Sequence, residues 1–309
     1  MKKKMLLVIS LISLFVMTNL FAGYGTHSML SLRLPTSAAI AGFNNAYAAV
    51  ADDVNSLSAN PAGLGFVKSN QFLFMYNNYV QDLNHNYLAY CQPVSGLGGK
   101  IGVNVSLFDA GDFDRTTIGS TGILYNSNGF FTSKDMVIGA SYGKAMNPNV
   151  NFGLSIKYIN SKIDTYKADG YAGDLGIIYS EENMFSQPVK IGFVIKNFGT
   201  KIKYDKEKES LPTEYRIGFA SLFNLSKDVN LLPAVDLAYI KDEKVNVNIG
   251  AEISYLNSFF VRCGYDNSND IGNKLSFGAG YKIKNISIDY AFTSYDEIGD
   301  GHRISLTIK

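Results

Sequence analysis

Apolar and polar residues alternate with period two through most of this chain, and the apolar side of the alternation is almost free of charge. Successive side chains of a strand point to opposite faces, so this pattern specifies strands with one greasy face. Val150, Phe152, Leu154, Ile156 and Tyr158 share one face, with Asn151, Gly153, Ser155 and Lys157 opposite. Val245, Val247, Ile249, Ala251, Ile253 and Tyr255 repeat it against Asn246, Asn248, Gly250, Glu252 and Ser254. The chain closes on the same rhythm, with Ile304, Leu306 and Ile308 against Arg303, Ser305 and Thr307. About fourteen such segments of roughly 7–11 residues can be marked, separated by turn residues. Asn147-Pro148-Asn149 and Lys241-Asp242-Glu243-Lys244 are examples of those turns. Two stretches, Asp109–Lys134 and Thr200–Thr213, read as large loops.

A soluble sandwich would turn its apolar faces to a core between two sheets, whereas a membrane barrel turns them to lipid. The polar face carries Lys157, Asp174, Lys190, Lys196, Arg216, Asp236, Glu252, Arg262, Lys282, Asp289 and Arg303. Either architecture tolerates that list. The clean apolar face decides for lipid, because one Lys or Arg at mid-bilayer costs about 2–4 kcal/mol. Tyr recurs near strand ends (Tyr76, Tyr79, Tyr87, Tyr142, Tyr158, Tyr179, Tyr239, Tyr255, Tyr265, Tyr281, Tyr290, Tyr295), as an aromatic girdle requires. Only 18% of residues are charged, below the ~25% of soluble domains. The net charge of +1 gives no basic surface for nucleic acid. The expected fold is all-β: a closed antiparallel transmembrane barrel of about fourteen strands.

The first residues, Met1-Lys2-Lys3-Lys4 and an apolar run to about Phe21, have the form of a secretory signal peptide cleaved near Ala22-Gly23. The competing reading, a membrane anchor, needs a span of ~20 apolar residues, and this run is slightly short. Residues 1–22 are therefore assigned to the signal, 23–70 to an N-terminal hatch and 71–309 to the barrel. The expected location is the outer membrane, with its lipid as the surrounding partner.

Residues 34–64 break the strand rhythm. The Ala-rich part from Ser37 to Val50 suits a short helix with Thr36 or Ser37 as N-cap, and Asn60-Pro61-Ala62-Gly63 suits a turn. Such a segment either plugs the lumen or lies at its periplasmic mouth. The pieces Ala41-Gly42, Ala46-Tyr47-Ala48-Ala49, Asp52-Asp53 and Asn60-Pro61-Ala62-Gly63-Leu64 occur in that order. Tyr215-Arg216-Ile217-Gly218, Gly250-Ala251-Glu252, Arg262-Cys263-Gly264-Tyr265 and His302-Arg303-Ile304-Ser305 follow. Together they resemble the PorV/PorQ type of outer-membrane protein, within the FadL-like superfamily of fourteen-stranded barrels. The resemblance implies an N-terminal hatch carrying Asn60, Pro61, Ala62 and Gly63. It also implies a role in handling proteins exported by a type IX-like machine, with secreted proteins or machine components as partners. A FadL-like alternative is passage of hydrophobic small molecules past the hatch, with Ile40, Phe43, Tyr47 and Leu57 as contacts. Those four residues equally suit packing of the plug against the wall. A third reading is a structural barrel without cargo. The ending Thr307-Ile308-Lys309 departs from the terminal aromatic residue common in such barrels, which bears on assembly rather than fold.

No catalytic constellation is present in the sequence, so an enzyme is not expected. The three His (His27, His85, His302) form no close pair, and no metal or cofactor site is expected. Asp266, Ser268 and Asp270 alternate like calcium ligands, but Ile271 occupies the place of the required Gly. Asp52 and Asp53 either pair with lumen cations such as Arg216 or Arg262 or are solvated at a helix end. Cys91 and Cys263 fall on the second and eleventh strands, too far apart in a closed barrel for a disulfide.

Overall fold

β-Branched and aromatic residues at every second position make strands wherever turn residues let the chain reverse. The computed structural model describes residues 27–78, 83–118, 124–184, 186–241, 243–267, 275–294 and 299–309. The signal segment, Tyr79, Tyr295 and the Ser268–Ile271 part of the calcium-like loop lie outside the described residues.

The wall consists of β1 (Gln71–Asn78), β2 (Asn84–Val94), β3 (Gly99–Ile118), β4 (Leu124–Asn147), β5 (Val150–Ile163), β6 (Tyr166–Met184) and β7 (Gln187–Gly199). It continues through β8 (Glu214–Ser221), β9 (Val229–Ile240), β10 (Val245–Tyr255), β11 (Phe259–Asp266), β12 (Leu275–Ile283), β13 (Ile286–Ser294) and β14 (Asp300–Ile308). A two-residue stub, Phe223–Asn224, pairs beside β9. Without it, the fifteen-membered sheet is a fourteen-stranded wall. Each strand pairs antiparallel with the next, and β1 pairs with β14 from Phe72↔Ile308 to Asn78↔His302. The ring is therefore closed, and no strand edge remains at the seam.

Alternation sorts the two sides of the wall. On β14 the pattern is strict: Arg303, Ser305 and Thr307 are buried, while Ile304, Leu306 and Ile308 are exposed. The outer surface is apolar and includes Phe72, Phe74, Leu88, Val103, Ile156, Val261, Phe277 and Ile288. In a bilayer that surface meets acyl chains. Tyr87 departs from the girdle expectation. It is paired with Met75 and faces the lumen, 2% exposed, because it belongs to the inner set of β2.

At one end the turns are short: Ser95–Gly98, residues 148–149, Leu256–Ser258 and residues 284–285. At the other lie the longer connections, and long connections mark the extracellular end of such barrels. Within the expected Asp109–Lys134 loop, residues 109–118 and 124–134 are strand. β3 and β4 continue past the wall as a ribbon, with register shifts between Asp109 and Asp112 and between Asp114 and Thr116. Thr200–Thr213 holds a small ladder, Ile202–Lys203 against Lys208–Glu209. It turns Ile202 and Leu211 inward onto Met29, Ile159 and Ala172.

Candidate functional site

Residues 27–70 fill the lumen from end to end. His27 forms a bridge with Ser210 at the extracellular end, and Arg33 pairs with Glu243 there at 3.0 Å. The segment leaves at the periplasmic end, where Lys100 Nζ donates to the Gly65 carbonyl at 2.7 Å. Of the two placements open to it, the segment is a plug rather than a lid.

The helix expected over Ser37–Val50 is a single turn, α1 (Ala38–Gly42). Ser37 caps it by accepting from the Ile40 amide at 3.2 Å. It stops because Asn44 (φ 48°) and Asn45 (φ 64°) take the left-handed conformation, which Asn tolerates better than most side chains. A second short turn, α2 (Ser56–Ala59), leads into a 3₁₀ segment over Pro61–Phe66. Each residue of Asn60-Pro61-Ala62-Gly63 has a visible task. Asn60 Oδ1 accepts from the Ala62 amide at 3.2 Å, starting the 3₁₀ turn. Asn60 Nδ2 donates to the Ala48 carbonyl at 2.9 Å, tying the two arms of the plug together. Pro61 supplies the fixed φ at the first helical position, Ala62 is fully buried, and at Gly63 a side chain would strike the Ala51 carbonyl and the Ser56 hydroxyl.

Two kinds of wall surface hold the plug. Against β1 and β2 it is apolar: Val54, Leu57, Leu64 and Val67 pack on Leu73, Met75, Tyr87 and Cys91. Elsewhere the wall bears charged clasps. Asp236 Oδ2 accepts from the amides of Tyr47 and Ala48, each at 3.0 Å. Arg216 Nη1 lies 3.2 Å from that same oxygen and donates to the Asn45 carbonyl at 2.6 Å. Its Nε pairs with Glu214 at 2.6 Å. Asn248 Nδ2 donates to the Asn44 carbonyl at 2.9 Å. The left-handed turn that ends α1 is thus the part of the plug the wall grips. Arg262 bridges Glu252 and Asp289, both at 2.6 Å, and Lys157 pairs with Asp174 at 2.7 Å. Arg303 is 3% exposed on the inner face of β14. Each of the three central cations has its carboxylates within reach, as charges taken out of water must.

Asp52 and Asp53 are paired, but with neither arginine named from the sequence. Asp52 meets Lys190 at 2.9 Å and Asp53 meets Lys309 at 2.9 Å. Arg216 and Arg262 are already held by the carboxylates of their own and neighbouring strands, whereas Lys190 and Lys309 stand at the periplasmic rim where the plug turns back. Burial would raise the Asp53 carboxyl. The Lys309 ammonium and the Asn55 donors outweigh it and hold the group below its ordinary range.

Glycines on the lumen face form the feature that pattern reading left unassigned. Gly143, Gly153 and Gly176 lie side by side across β4, β5 and β6, as do Gly192 and Gly218 on β7 and β8 and Gly250 and Gly264 on β10 and β11. A Cβ on Gly143 would stand 2.6 Å from that of Leu64, and one on Gly264 would stand 2.6 Å from the Asn44 amide nitrogen. Side chains at Gly153, Gly192 and Gly250 would meet the plug at Pro61, Ala48 and Phe43. The available signal was Gly at inward positions of otherwise regular strands, which marks close approach of another backbone.

Ile40, Phe43 and Tyr47 are buried in one cluster with Ile178 and Ala234, while Leu57 belongs to the separate β1–β2 cluster. Ile40, Tyr47 and Leu57 border an interior cavity of about 60 Å³, which Lys157, Lys196, Glu214 and Arg216 also line. An apolar cavity of about 150 Å³ is of the size that takes benzene, and a water occupies ~30 Å³ of liquid. This cavity is therefore on the scale of water, while a larger hollow of about 770 Å³ opens at the extracellular end between His27–Ser31 and wall residues such as Phe108, Asp135 and Ser161. Cys91 is buried toward the lumen and Cys263 is exposed on the outer wall, so the two thiols lie on opposite sides of the barrel. Among the described residues no group of His, Cys, Asp and Glu is arranged to hold a metal ion.

The sequence profile described as "Type IX secretion system membrane protein PorP/SprF" matches residues 53–300. No curated protein is a significant match. Among solved structures, the toluene transporter TodX of Pseudomonas putida aligns with TM-score 0.53 at 12% identity, covering 82% of this chain and 91% of that one. The toluene transporter TbuX of Ralstonia pickettii gives 0.51 at 11%, covering 83% and 92%. A Pseudomonas aeruginosa FadL homologue gives 0.51 at 10%, covering 89% and 98%. At such identities these likenesses speak for the fold, a FadL-like outer-membrane barrel. The sequence resemblance is thus met at the level of type IX secretion membrane proteins and FadL-like barrels, with PorP/SprF rather than PorV/PorQ as the matching profile.

Proposed function

The chain belongs to the PorP/SprF family of type IX secretion system membrane proteins, and from that premise we propose that it handles exported proteins at the outer membrane through its extracellular face, with its lumen kept shut. The observation that carries this reading is the fastened plug. Residues 27–70 are held along their length by Ser305, Asp236, Arg216, Asn248 and Lys100, and the cavity of about 60 Å³ that Ile40, Tyr47 and Leu57 border also has Lys157, Lys196, Glu214 and Arg216 in its wall. A conduit for hydrocarbons needs an apolar space for its passenger, and here Ile40, Phe43, Tyr47 and Leu57 spend their apolar surface on packing. The longer connections and the projecting β3–β4 ribbon lie at the opposite end from the short turns, available to protein partners. No catalytic step belongs to this reading. The resemblance to PorV/PorQ-type proteins supports the same role.

The test is deletion of the chain in its native host, with quantitative mass spectrometry of surface-exposed proteins and uptake of radiolabelled toluene measured side by side. Loss of a set of surface proteins with unchanged toluene uptake is expected. An intact surface proteome with reduced uptake would overturn the proposal in favour of a hydrophobic channel.

A further inference from the structure

β3 pairs with β2 only as far as Asn84↔Asp109. Beyond it the β3–β4 ladder shifts register between Asp109 and Asp112, and β3 continues to Ile118 with β4 alone beside it among the described residues. The continuation is nine residues (118 − 109), so at ~3.3 Å per residue it stands roughly 30 Å past β2. Along Asp112–Ile118 the edge facing away from β4 has no strand against it among the described residues. The other edge of the ribbon, along residues 124–132 of β4, is likewise without a strand against it among the described residues, and a bare edge is a template for one more strand. Its surface is also built for contact: Phe113 and Phe131 stack at 5.2 Å between centroids, and Phe113 and Phe130 are 41% and 66% exposed.

Charge selects the occupant. Asp109, Asp112 and Asp114 face two cations, Arg115 and Lys134. Lys134 is taken by Asp109 at 2.8 Å and Arg115 by Asp164 at 2.7 Å. Asp112, which adds to the negative field at Lys134, and Asp114 have no ion pair of their own among the described residues; they lie two residues apart and hence on one face of the strand. A second copy pairing edge to edge would bring carboxylates against carboxylates, which is destabilising across a ladder.

We propose that the Asp112–Ile118 edge receives an extended, cationic segment of a protein partner as an added antiparallel or parallel strand. The proposal rests on the secretion-associated reading for the source of that segment, an exported protein or a component of its machine. Main-chain hydrogen bonds supply the attachment, Asp112 and Asp114 favour Lys or Arg at alternate positions, and the phenylalanines accept apolar side chains.

A nine-residue random peptide library, panned against the full chain in lipid nanodiscs, tests this without any export assay, so it can fail while the deletion phenotype holds, and the reverse. Enrichment of Lys- or Arg-bearing peptides is expected, with slowed amide exchange over Asp112–Ile118 when they bind. The double variant Asp112→Lys, Asp114→Lys should bind them at least tenfold more weakly. N-methylation of every second peptide amide should abolish binding in one phase and spare it in the other, because alternate residues of a strand direct their amides to one neighbour. Enrichment of acidic peptides, equal binding to the double variant, indifference to both N-methylation phases, or no enrichment at all would each overturn the proposal.

Discussion

Asp236→Ala removes one carboxylate, two attachments of the plug and one ion pair within the wall. The amides of Tyr47 and Ala48 lose their acceptor, and Arg216 loses one of its two carboxylates while keeping Glu214 at 2.6 Å. A buried donor left without a partner costs about 1–3 kcal/mol. Two such donors, shared with an arginine that is still partly satisfied, put the loss at roughly 2–5 kcal/mol. At 1.4 kcal/mol per tenfold, the population with the plug out of place rises about 30- to 4000-fold. Cys91 reports that event, since it is buried beneath Leu57 and Leu64 on the lumen side, and the Asn60–Ala48 bond links the two arms of the plug. In a Cys263→Ser background, the labelling rate of Cys91 by a water-soluble maleimide should rise within that range, with the urea midpoint of the barrel measured in parallel. A rate within threefold of the parent, in a barrel that remains folded, would refute the view that the Asp236 clasp holds the plug.

Gly153→Leu places a side chain where the Pro61 backbone sits, so it should displace the periplasmic arm and give ion conductance in planar bilayers that the parent lacks. The Asp53–Lys309 pair has a pH signature. The Asp53 carboxyl is depressed in the folded chain, so its contribution is fully present above the ordinary carboxylate value of ~4 and is lost as pH falls through the lower folded value. Bilayer conductance should therefore rise only at acid pH, and Asp53→Asn should raise it at neutral pH and remove the acid step. Ile156→Lys puts a cation at the middle of β5 on the outer wall, where Ile156 is 66% exposed. Urea unfolding in lipid bilayers should show a loss of about 2–4 kcal/mol.

The wall was legible because period two is a local property: Val150–Tyr158 and Val245–Tyr255 announce strand, face and membrane side without reference to any other residue. The inward charges were legible for the same reason. Their partners were not, since Asp52 finds Lys190 and Asp53 finds Lys309 only after the plug has entered the barrel. Leu73, Met75 and Tyr87 break the polar rule of the inner face because an apolar part of the plug lies over them. The β3–β4 ribbon was hidden by Gly111 and Gly129, both at positive φ, and by register shifts that interrupt the alternation. α1 proved shorter than its Ala-rich sequence suggests because two successive asparagines turn left-handed. The lumen glycines carry no side chain from which a partner can be inferred, and only the path of the plug gives them meaning.

The plug precedes β1 in the chain, and the ring is sealed by β14 against β1. Its contour already matches the hollows left by glycines on eight of the strands it passes, from Gly143 to Gly278. Strand number and shear set the girth of such a ring, so withdrawing the enclosed chain would leave the wall standing with a row of hollows along its inside.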